Sequence, residues 1–112
     1  MKCIFCKISR SERGKLIYED NQIVAFHDIE PQAPIHVLII PRRHIVTIND
    51  LSHEDKKLIG HMVTTSVQIA RNKDIANFGY RLVFNCNYDG GQIVDHIHLH
   101  LLGGRKMKWP PG

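Results

Sequence analysis

The sequence has few of the features that mark membrane, secreted and nucleic-acid-binding proteins. No stretch of its 112 residues approaches the roughly 20 consecutive apolar residues that a membrane-spanning helix needs. The opening residues, MKCIFCK, lack the long apolar region of a signal peptide, so we expect a cytoplasmic protein. Aromatic residues make up only 7% of the chain and do not alternate with a basic stripe, which disfavours a nucleic-acid reader. Three cysteines are a small and odd number, which argues against a secreted disulfide framework.

The remaining composition is that of a small globular protein with a mild preference for anions. Apolar residues account for 43% and charged residues for 23% of the chain, near the average of folded domains. The length suits one domain, residues 1–112, and is too short for two ordinary domains. The net charge of +4 comes from basic residues that are scattered apart from two clusters, at 41–44 and 104–108. This balance favours phosphate-bearing small molecules as partners.

Short segments typical of strands occur in both halves of the sequence. Residues 16–19 and 22–27 flank the turn-prone pair Asp20-Asn21 and predict an antiparallel hairpin. The run HVLIIP, residues 36–41, has the length and composition of a buried strand, and the proline-containing segment before it predicts a loop. Residues 80–86 and 96–102 predict two further strands on either side of the glycine-containing turn NYDGGQ.

One segment has helical periodicity. Apolar residues recur at helical spacing after Ser52, a residue suited to cap a helix, and they predict a helix over residues 52–76. Together with the strands, this helix predicts an α+β domain. We expect an antiparallel sheet of about five strands that carries one long helix on a face.

The segment DHIHLHLLGG, residues 95–104, contains the clearest chemical pattern. On a strand, His96, His98 and His100 share one face while the apolar residues between them point to the core. Neighbouring side chains on this face lie about 6 to 7 Å apart, so one ligand can contact more than one of them. A half-exposed strand whose polar face is histidine is the simplest explanation, and it assigns no function.

Two functional explanations compete with this simple one. Three histidines form some catalytic zinc sites, but three successive residues on one face of a straight strand converge poorly on a tetrahedral ion. The other explanation is nucleophilic catalysis, in which the neutral ring of His98 attacks phosphorus or a carbonyl carbon while a neighbour fixes its tautomer. The glycines after the strand leave room for a phosphate group to approach.

These residues resemble the signature of a known family. The order His-φ-His-φ-His-φ-φ (φ apolar) at 96–102 is similar to the motif for which the histidine-triad (HIT) proteins are named. The resemblance to the histidine-triad nucleotide-binding branch extends to AFHDIEPQAPIHVLIIPRRH, to GGQ before the triad and to the terminal GGRKMKWPPG. It therefore covers nearly the whole chain. It implies a HIT-like fold whose sheet continues across a homodimer.

The resemblance implies a reaction and a role for each histidine. Members of this branch hydrolyse purine nucleoside 5′-phosphoramidates through a nucleotidyl-histidine intermediate, so the resemblance implies that His98 is the nucleophile. It implies that His100 contacts the phosphate and that His96 and His36 support the network. An alternative from a different class is a purine-nucleotide-binding regulatory module with little turnover.

The resemblance also implies the residues that bind the nucleotide. Asp28 corresponds to the carboxylate that accepts hydrogen bonds from the ribose hydroxyls. The residues that line the base pocket correspond to Phe26, His27 and Ile29. The residues that approach the phosphate correspond to Asn85, Gly91, Gln92 and Ile93, and the C-terminal tail that reaches the partner's site contains Trp109. Ile93 departs from the family, which often has serine at this position. Because an aliphatic side chain donates no hydrogen bond, we expect activity to survive with a different leaving-group preference or rate.

A second site is implied near the N-terminus. Many bacterial relatives pair a Cys-x-x-Cys motif with two histidines to hold a structural zinc ion, and the resemblance implies the ligands Cys3, Cys6, His44 and His96. Such an ion positions His96 beside His98 without taking part in the chemistry. The alternative is that Cys3 and Cys6 are two small residues near a frayed terminus.

Overall fold

The fold is an antiparallel sheet with helices on both faces. The computed structural model describes residues 3–11 and 15–112. Helix α1 spans Ile4–Ser11, α2 spans Lys56–Asn72 and the short α3 spans Asn87–Gly90. The strands are β1 Leu16–Glu19, β2 Ile23–His27, β3 Ile35–Pro41, β4 Tyr80–Phe84 and β5 Leu99–Gly103. Within this described part of the chain, every helix is too short or too polar to cross a membrane.

The register of the sheet brings distant histidines together. The strands lie in the order β1-β2-β3-β5-β4, and every neighbouring pair is antiparallel. In the centre, β3 pairs with β5 so that His36 is opposite Leu102 and Leu38 is opposite His100. Because side chains alternate along a strand, His36 and His100 are diagonal neighbours on one face. This face carries the polar residues of the candidate site.

Each face of the sheet buries its own hydrophobic core. The face under α2 contains ten buried residues: Ile23, Ala25, Val37, Ile39, Met62, Ile69, Ala70, Ile75, Leu99 and Leu101. The opposite face, partly covered by α1, contains Phe5, Val24, Phe26, Leu38 and Ile40. Burying a side chain such as Phe5 stabilises the fold by about 1.5 to 3 kcal/mol, so α1 is a packed element and the terminus is not frayed at this point.

The structure confirms the predicted α+β class, the five-stranded antiparallel sheet and the one long helix. The predicted hairpin and the central strand agree with β1, β2 and β3 to within one residue at each end. The predicted helix over 52–76 is too long. Residues 53–55 form a 3₁₀ turn capped by Ser52, and the helix ends at Asn72 because Asp74 adopts a φ of 61° and turns the chain.

The predicted strand over 96–102 is wrong in its first half. β5 begins at Leu99 because the preceding residues bond elsewhere: the Ile97 N–H donates to the Ile45 carbonyl at 2.7 Å, and the His96 N–H donates to the Val94 carbonyl at 2.9 Å. His96 and His98 therefore precede the regular strand. The predicted turn NYDGGQ contains α3, and Gly91 ends this helix with a φ of 80°.

Candidate active site

His98 is buried just before β5, and the backbone holds its ring. Its Nδ1 lies 2.8 Å from the carbonyl oxygen of His96, and since a carbonyl only accepts, Nδ1 carries the proton. In the neutral ring this leaves Nε2 with an unprotonated lone pair. The Phe5 ring packs against His98 at a centroid distance of 5.1 Å and an interplanar angle of 82°. Local structure thus fixes both the tautomer and the orientation of His98.

His100 is oriented by a chain of hydrogen bonds that begins in the loop between β2 and β3. The Gln32 backbone N–H donates to His36 Nδ1 at 3.0 Å, so the proton of the neutral His36 ring is on Nε2. His36 Nε2 then donates to His100 Nδ1 at 2.9 Å, which places the His100 proton on its own Nε2. This Nε2 is buried and has no hydrogen-bond partner in the described parts of the chain. The ring centroids of His98 and His100 are 4.9 Å apart, so a ring with a free lone pair neighbours a ring with a free N–H donor.

Burial keeps the supporting rings neutral. Burial, together with charge repulsion from His98 and His36, lowers the pKa of His100 to about 4. Burial also lowers the pKa of His36, although the Asp28 carboxylate opposes this shift. The pKa of His96 is lowered by burial as well. The assignment of one proton per ring therefore applies to His36 and His100 at neutral pH.

Asp28 lies beside the hydrogen bond between His36 and His100. Its Oδ2 lies 3.4 Å from His36 Nε2, and its Oδ1 accepts the Glu30 N–H at 2.8 Å. One possible metal-ligating atom each from Asp28, His36 and His100 lies within 4.8 Å of the other two. A cation here needs the lone pair of His36 Nε2, but the Gln32 N–H keeps the proton on that atom. We therefore interpret His36 and His100 as a hydrogen-bonded pair with the Asp28 carboxylate beside it.

A compact cluster of Cys3, Cys6, His44 and His96 lies at the other end of the site. Their Sγ and Nδ1 atoms all lie within 4.8 Å of one another. Three sulfur–nitrogen distances are 3.3, 3.4 and 3.6 Å, and the two Nδ1 atoms are 3.2 Å apart. A tetrahedron with Zn–S of about 2.3 Å and Zn–N of about 2.0 to 2.1 Å has edges of about 3.3 to 3.6 Å between such atoms. The donor set is therefore spaced for a metal ion.

His96 connects this cluster to His98. Its Nε2 donates to the Pro41 carbonyl at 2.8 Å, so Nδ1 keeps a lone pair directed at the cluster, while its own carbonyl accepts from His98. The zinc site considered above for His96, His98 and His100 is contradicted by this geometry. His96 donates from Nε2 to the Pro41 carbonyl and directs Nδ1 at Cys3 and Cys6, so neither of its ring nitrogens is available to an ion held together with His98 and His100.

Comparisons with known proteins agree with the arrangement. A family model described as "Scavenger mRNA decapping enzyme C-term binding" matches residues 2–109. The purine nucleoside phosphoramidase of Escherichia coli (strain K12) is 50% identical over 105 residues, which cover 93% of this chain and 88% of the relative. The chain belongs to the histidine-triad (HIT) family. The crystal structure of a HIT family hydrolase from Legionella pneumophila Philadelphia 1 has a TM-score of 0.95 and 52% identity, and the match covers 99% of this chain and 100% of that one. A histidine triad protein from Clostridium difficile has a TM-score of 0.91 and 38% identity, with coverage of 96% and 95%.

The HIT residues predicted to line the base pocket differ in burial. Phe26 is buried, with its ring centroid 5.5 Å from that of Phe5. Ile29 is 95% exposed at the end of β2, and Ile93 is 92% exposed, so both apolar side chains are open to a ligand or a partner. Trp109 in the C-terminal tail is 81% exposed. The structure thus packs Phe26 and Phe5 beneath His98 and leaves the side chains of Ile29, Ile93 and Trp109 exposed.

His27 is not brought to the triad in this HIT domain. It points to the opposite side of β2 from Phe26, and its Nε2 lies 3.4 Å from Lys73 Nζ just after α2. Burial and the charge of Lys73 lower the pKa of His27. Asn85 is half-buried directly after β4, whose last residue, Phe84, pairs with Leu99 at the start of β5.

The side chain of Gln92 has a structural role that the sequence did not predict. Its Nε2 donates to the carbonyls of Val46 at 2.6 Å and Val94 at 3.1 Å, and its Oε1 accepts the Asn87 N–H at 2.9 Å. All three bonds tie the segment around Gly91 to the rest of the HIT domain. The Gln92 side chain is therefore not available to a phosphate group.

Sequence reasoning also missed three groups that hold the histidines: the Phe5 ring, the Gln32 N–H and the Pro41 carbonyl. Two of them are backbone groups, for which side-chain identity gives no signal. The position of Phe5 between the two cysteines is the one sequence feature from which a contact with the HIT site follows.

Proposed function

We propose that this HIT protein hydrolyses purine nucleoside 5′-phosphoramidates with His98 as the nucleophile. The observation that carries the proposal is the pair of fixed tautomers, with a lone pair on His98 Nε2 and a proton on His100 Nε2. A nucleophile must offer a lone pair, and an anionic phosphate oxygen needs a donor, so the two adjacent rings complement each other. The 50% identity with the phosphoramidase of E. coli supports the substrate class.

The reaction proceeds by two displacements at phosphorus. His98 Nε2 forms a bond to the α-phosphorus while the P–N bond breaks, and the leaving amine takes the electron pair and a proton from solvent. Water then forms a P–O bond while the Nε2–P bond breaks, and the proton of the water passes to solvent. Throughout, Nδ1–H of His98 donates to the His96 carbonyl and stabilises the positive charge on the ring. His100 Nε2–H donates to the phosphate oxygen as its charge rises.

The remaining predicted residues bind the nucleotide in this proposal. Asp28 accepts from the ribose hydroxyls, for which its partly exposed carboxylate has free capacity. The base is contacted by Phe26, His27 and Ile29, and Trp109 belongs to the tail that reaches the partner's site. The phosphate is approached by Asn85 and by the backbone of Gly91, Gln92 and Ile93. The N–H groups of Gly91 and Gln92 already donate to the carbonyls of Tyr88 and Asn87, at 3.0 Å each, so in this proposal the Ile93 N–H is the backbone donor for the phosphate.

Trapping the covalent intermediate tests this proposal. The wild-type protein is mixed with adenosine 5′-phosphoramidate, quenched rapidly and mapped by mass spectrometry. We expect an adenylyl group on the peptide that contains His98, and its loss in acid, where a P–N bond is labile. Turnover with the label on a different histidine contradicts the assigned nucleophile. A protein that binds AMP without turnover is instead the regulatory module considered above.

Ile93→Ser is expected to change the preference among leaving groups. The added hydroxyl donates a hydrogen bond that isoleucine lacks, at a fully open position beside the proposed phosphate segment. We expect kcat/KM for a lysyl phosphoramidate relative to a simple amine to shift by about 3- to 10-fold, the effect of one hydrogen bond. Ile93→Ala, which removes the aliphatic group without adding a donor, is the control. Equal gains for all substrates contradict this prediction.

The cluster of Cys3, Cys6, His44 and His96 binds a structural zinc ion in this proposal. Two thiolates and two neutral imidazoles form a closed tetrahedral set, which leaves no position for substrate. Burial and the neighbouring Cys3 raise the pKa of the Cys6 thiol, a cost that an adjacent divalent cation offsets. When bound, the ion supplies rigidity at His96. The proposed location is the cytoplasm, a reducing compartment that is compatible with three cysteines outside disulfides.

The single HIT domain of residues 1–112 forms a homodimer in this proposal, with the sheets joined and the tail near the partner's site. Arg81 on the edge strand β4 donates to the Lys108 carbonyl at 2.9 Å and lies 6.0 Å from the centre of the Trp109 ring. Nearby, Phe78 is 98% exposed, and exposed aromatic residues commonly mark an interaction surface. Light scattering at micromolar concentration distinguishes a dimer from the monomer that contradicts this assembly.

A further inference from the structure

The segment after β5 holds the loop between β2 and β3. Arg105 donates from Nε and Nη2 to the Gln32 carbonyl, at 3.1 and 2.9 Å. One residue earlier, Gly104 lies so close to this loop that a Cβ would come within 2.9 Å of Pro34 Cβ. Its φ of 92° is one that glycine adopts without strain. Arg105 thus holds Gln32 directly, and Gly104 packs against Pro34 in the same loop.

The position of Gln32 decides which way the His36–His100 hydrogen bond runs. The proton between the two rings belongs either to His36 Nε2 or to His100 Nδ1. In the second arrangement the single proton of the His36 ring is on Nδ1. It then faces the Gln32 N–H, so two donors oppose each other. The Asp28 carboxylate, 3.4 Å from His36 Nε2, favours the first arrangement as well. Gln32 is the group that opposes the second arrangement directly, because its N–H faces His36 Nδ1.

The two arrangements have opposite consequences for a bound phosphate. In the first, His100 presents Nε2–H to the site, and an anionic oxygen gains a donor. In the second, His100 presents a lone pair, which repels the same oxygen. Displacement of the Gln32 N–H makes the second arrangement accessible, and the charge that rises on phosphorus oxygens in the transition state then loses its stabilising partner.

We propose that Arg105 is a positioning residue for the reaction at His98. By holding the Gln32 carbonyl, Arg105 keeps the Gln32 N–H on His36 and so keeps the proton of His100 on Nε2. The effect on turnover rests on the proposed function, whereas the tautomer is a property of the substrate-free protein. Arg105 acts through the loop and not by contact with the substrate.

The experiment reads the tautomer and the kinetics separately. Ring ¹⁵N shifts and long-range ¹H–¹⁵N couplings of the full chain, labelled with ¹⁵N-histidine, report which nitrogen of His100 is protonated, and His100→Gln assigns the signals. We expect the Nε2–H form in the wild type and a mixture of both tautomers in Arg105→Ala. We also expect kcat to fall about tenfold with a smaller change in KM, which is the scale of a hydrogen bond from a charged donor. Arg105→Lys keeps one charged donor and restores part of both effects.

Lys106→Ala is the matched control, because it removes a neighbouring exposed charge of the same segment. We expect it to retain the wild-type ¹⁵N pattern and kcat. An Arg105→Ala protein with the wild-type His100 pattern overturns the proposal, whatever its activity. A tautomer mixture with unchanged kcat overturns the role in the reaction. Absence of turnover in the wild type overturns the proposed function instead, and the ¹⁵N pattern still decides whether Arg105 sets the tautomer.

Discussion

His98→Ala is expected to lose phosphoramidate hydrolysis by at least about 10⁴-fold in kcat, the scale seen when a covalent nucleophile is removed. Without the ring, the single two-step path is closed, and direct attack of water has no positioned base. AMP binding is expected to stay within about threefold, because the proposed contacts of Asp28 and His100 with the nucleotide do not involve His98. Steady-state hydrolysis of adenosine 5′-phosphoramidate and calorimetric titration with AMP measure the two effects independently.

His53→Ala is the matched control for this loss. His53 is an exposed histidine in the 3₁₀ turn before α2, where its Nε2 lies 3.1 Å from Lys56 Nζ. We expect wild-type turnover from it. If His98→Ala keeps more than about 1% of the wild-type kcat, the covalent route is refuted, because removal of the nucleophile must cost far more than the loss of one hydrogen bond.

The sequence predicted those parts of the fold that depend on local pattern. Alternating apolar residues and the Asp20-Asn21 turn are sufficient for the hairpin, and a continuous apolar run is sufficient for β3. The predicted element boundaries are wrong where a group distant in sequence takes a hydrogen bond that the predicted element needs. The Ile45 carbonyl, 52 positions before Ile97, takes the N–H that an early start of β5 would need. Helix α1 has only eight residues, too few for periodicity to identify, and its packing on Phe26 is a tertiary effect.

The sequence predicts the residues of the candidate site but not the protonation of their rings. The family resemblance selects His98 and His100, but it does not say which nitrogen of each ring carries the proton. That depends on the His96 carbonyl for one ring and on the Gln32 N–H for the other. Backbone groups carry no residue-specific signal, so only the folded geometry shows that the two rings offer opposite halves of a hydrogen bond.

Cys6→Ser is expected to release zinc and to lower the melting temperature. The wild-type protein, purified without a histidine tag, should contain about one equivalent of zinc, because four donors already lie at tetrahedral spacing. An ion present at about a thousand times its Kd stabilises the folded state by about 4 kcal/mol. For a domain of this size that corresponds to a loss of roughly 15 °C on removal. Atomic emission measures the metal, and calorimetry measures the melting temperature.

Cys86→Ser separates loss of the ion from loss of a thiol. Cys86 lies at the start of α3, outside the cluster, so we expect its variant to keep the zinc and the melting temperature of the wild type. Less than about 0.3 equivalents in the wild type rejects the metal proposal, since a structural site of this kind binds far below micromolar concentrations.

With zinc bound, His96 is fixed at both ring nitrogens and its carbonyl holds His98. Cys6→Ser should therefore also reduce kcat, and Cys86→Ser should not, because the carbonyl that orients the proposed nucleophile belongs to the proposed metal ligand His96.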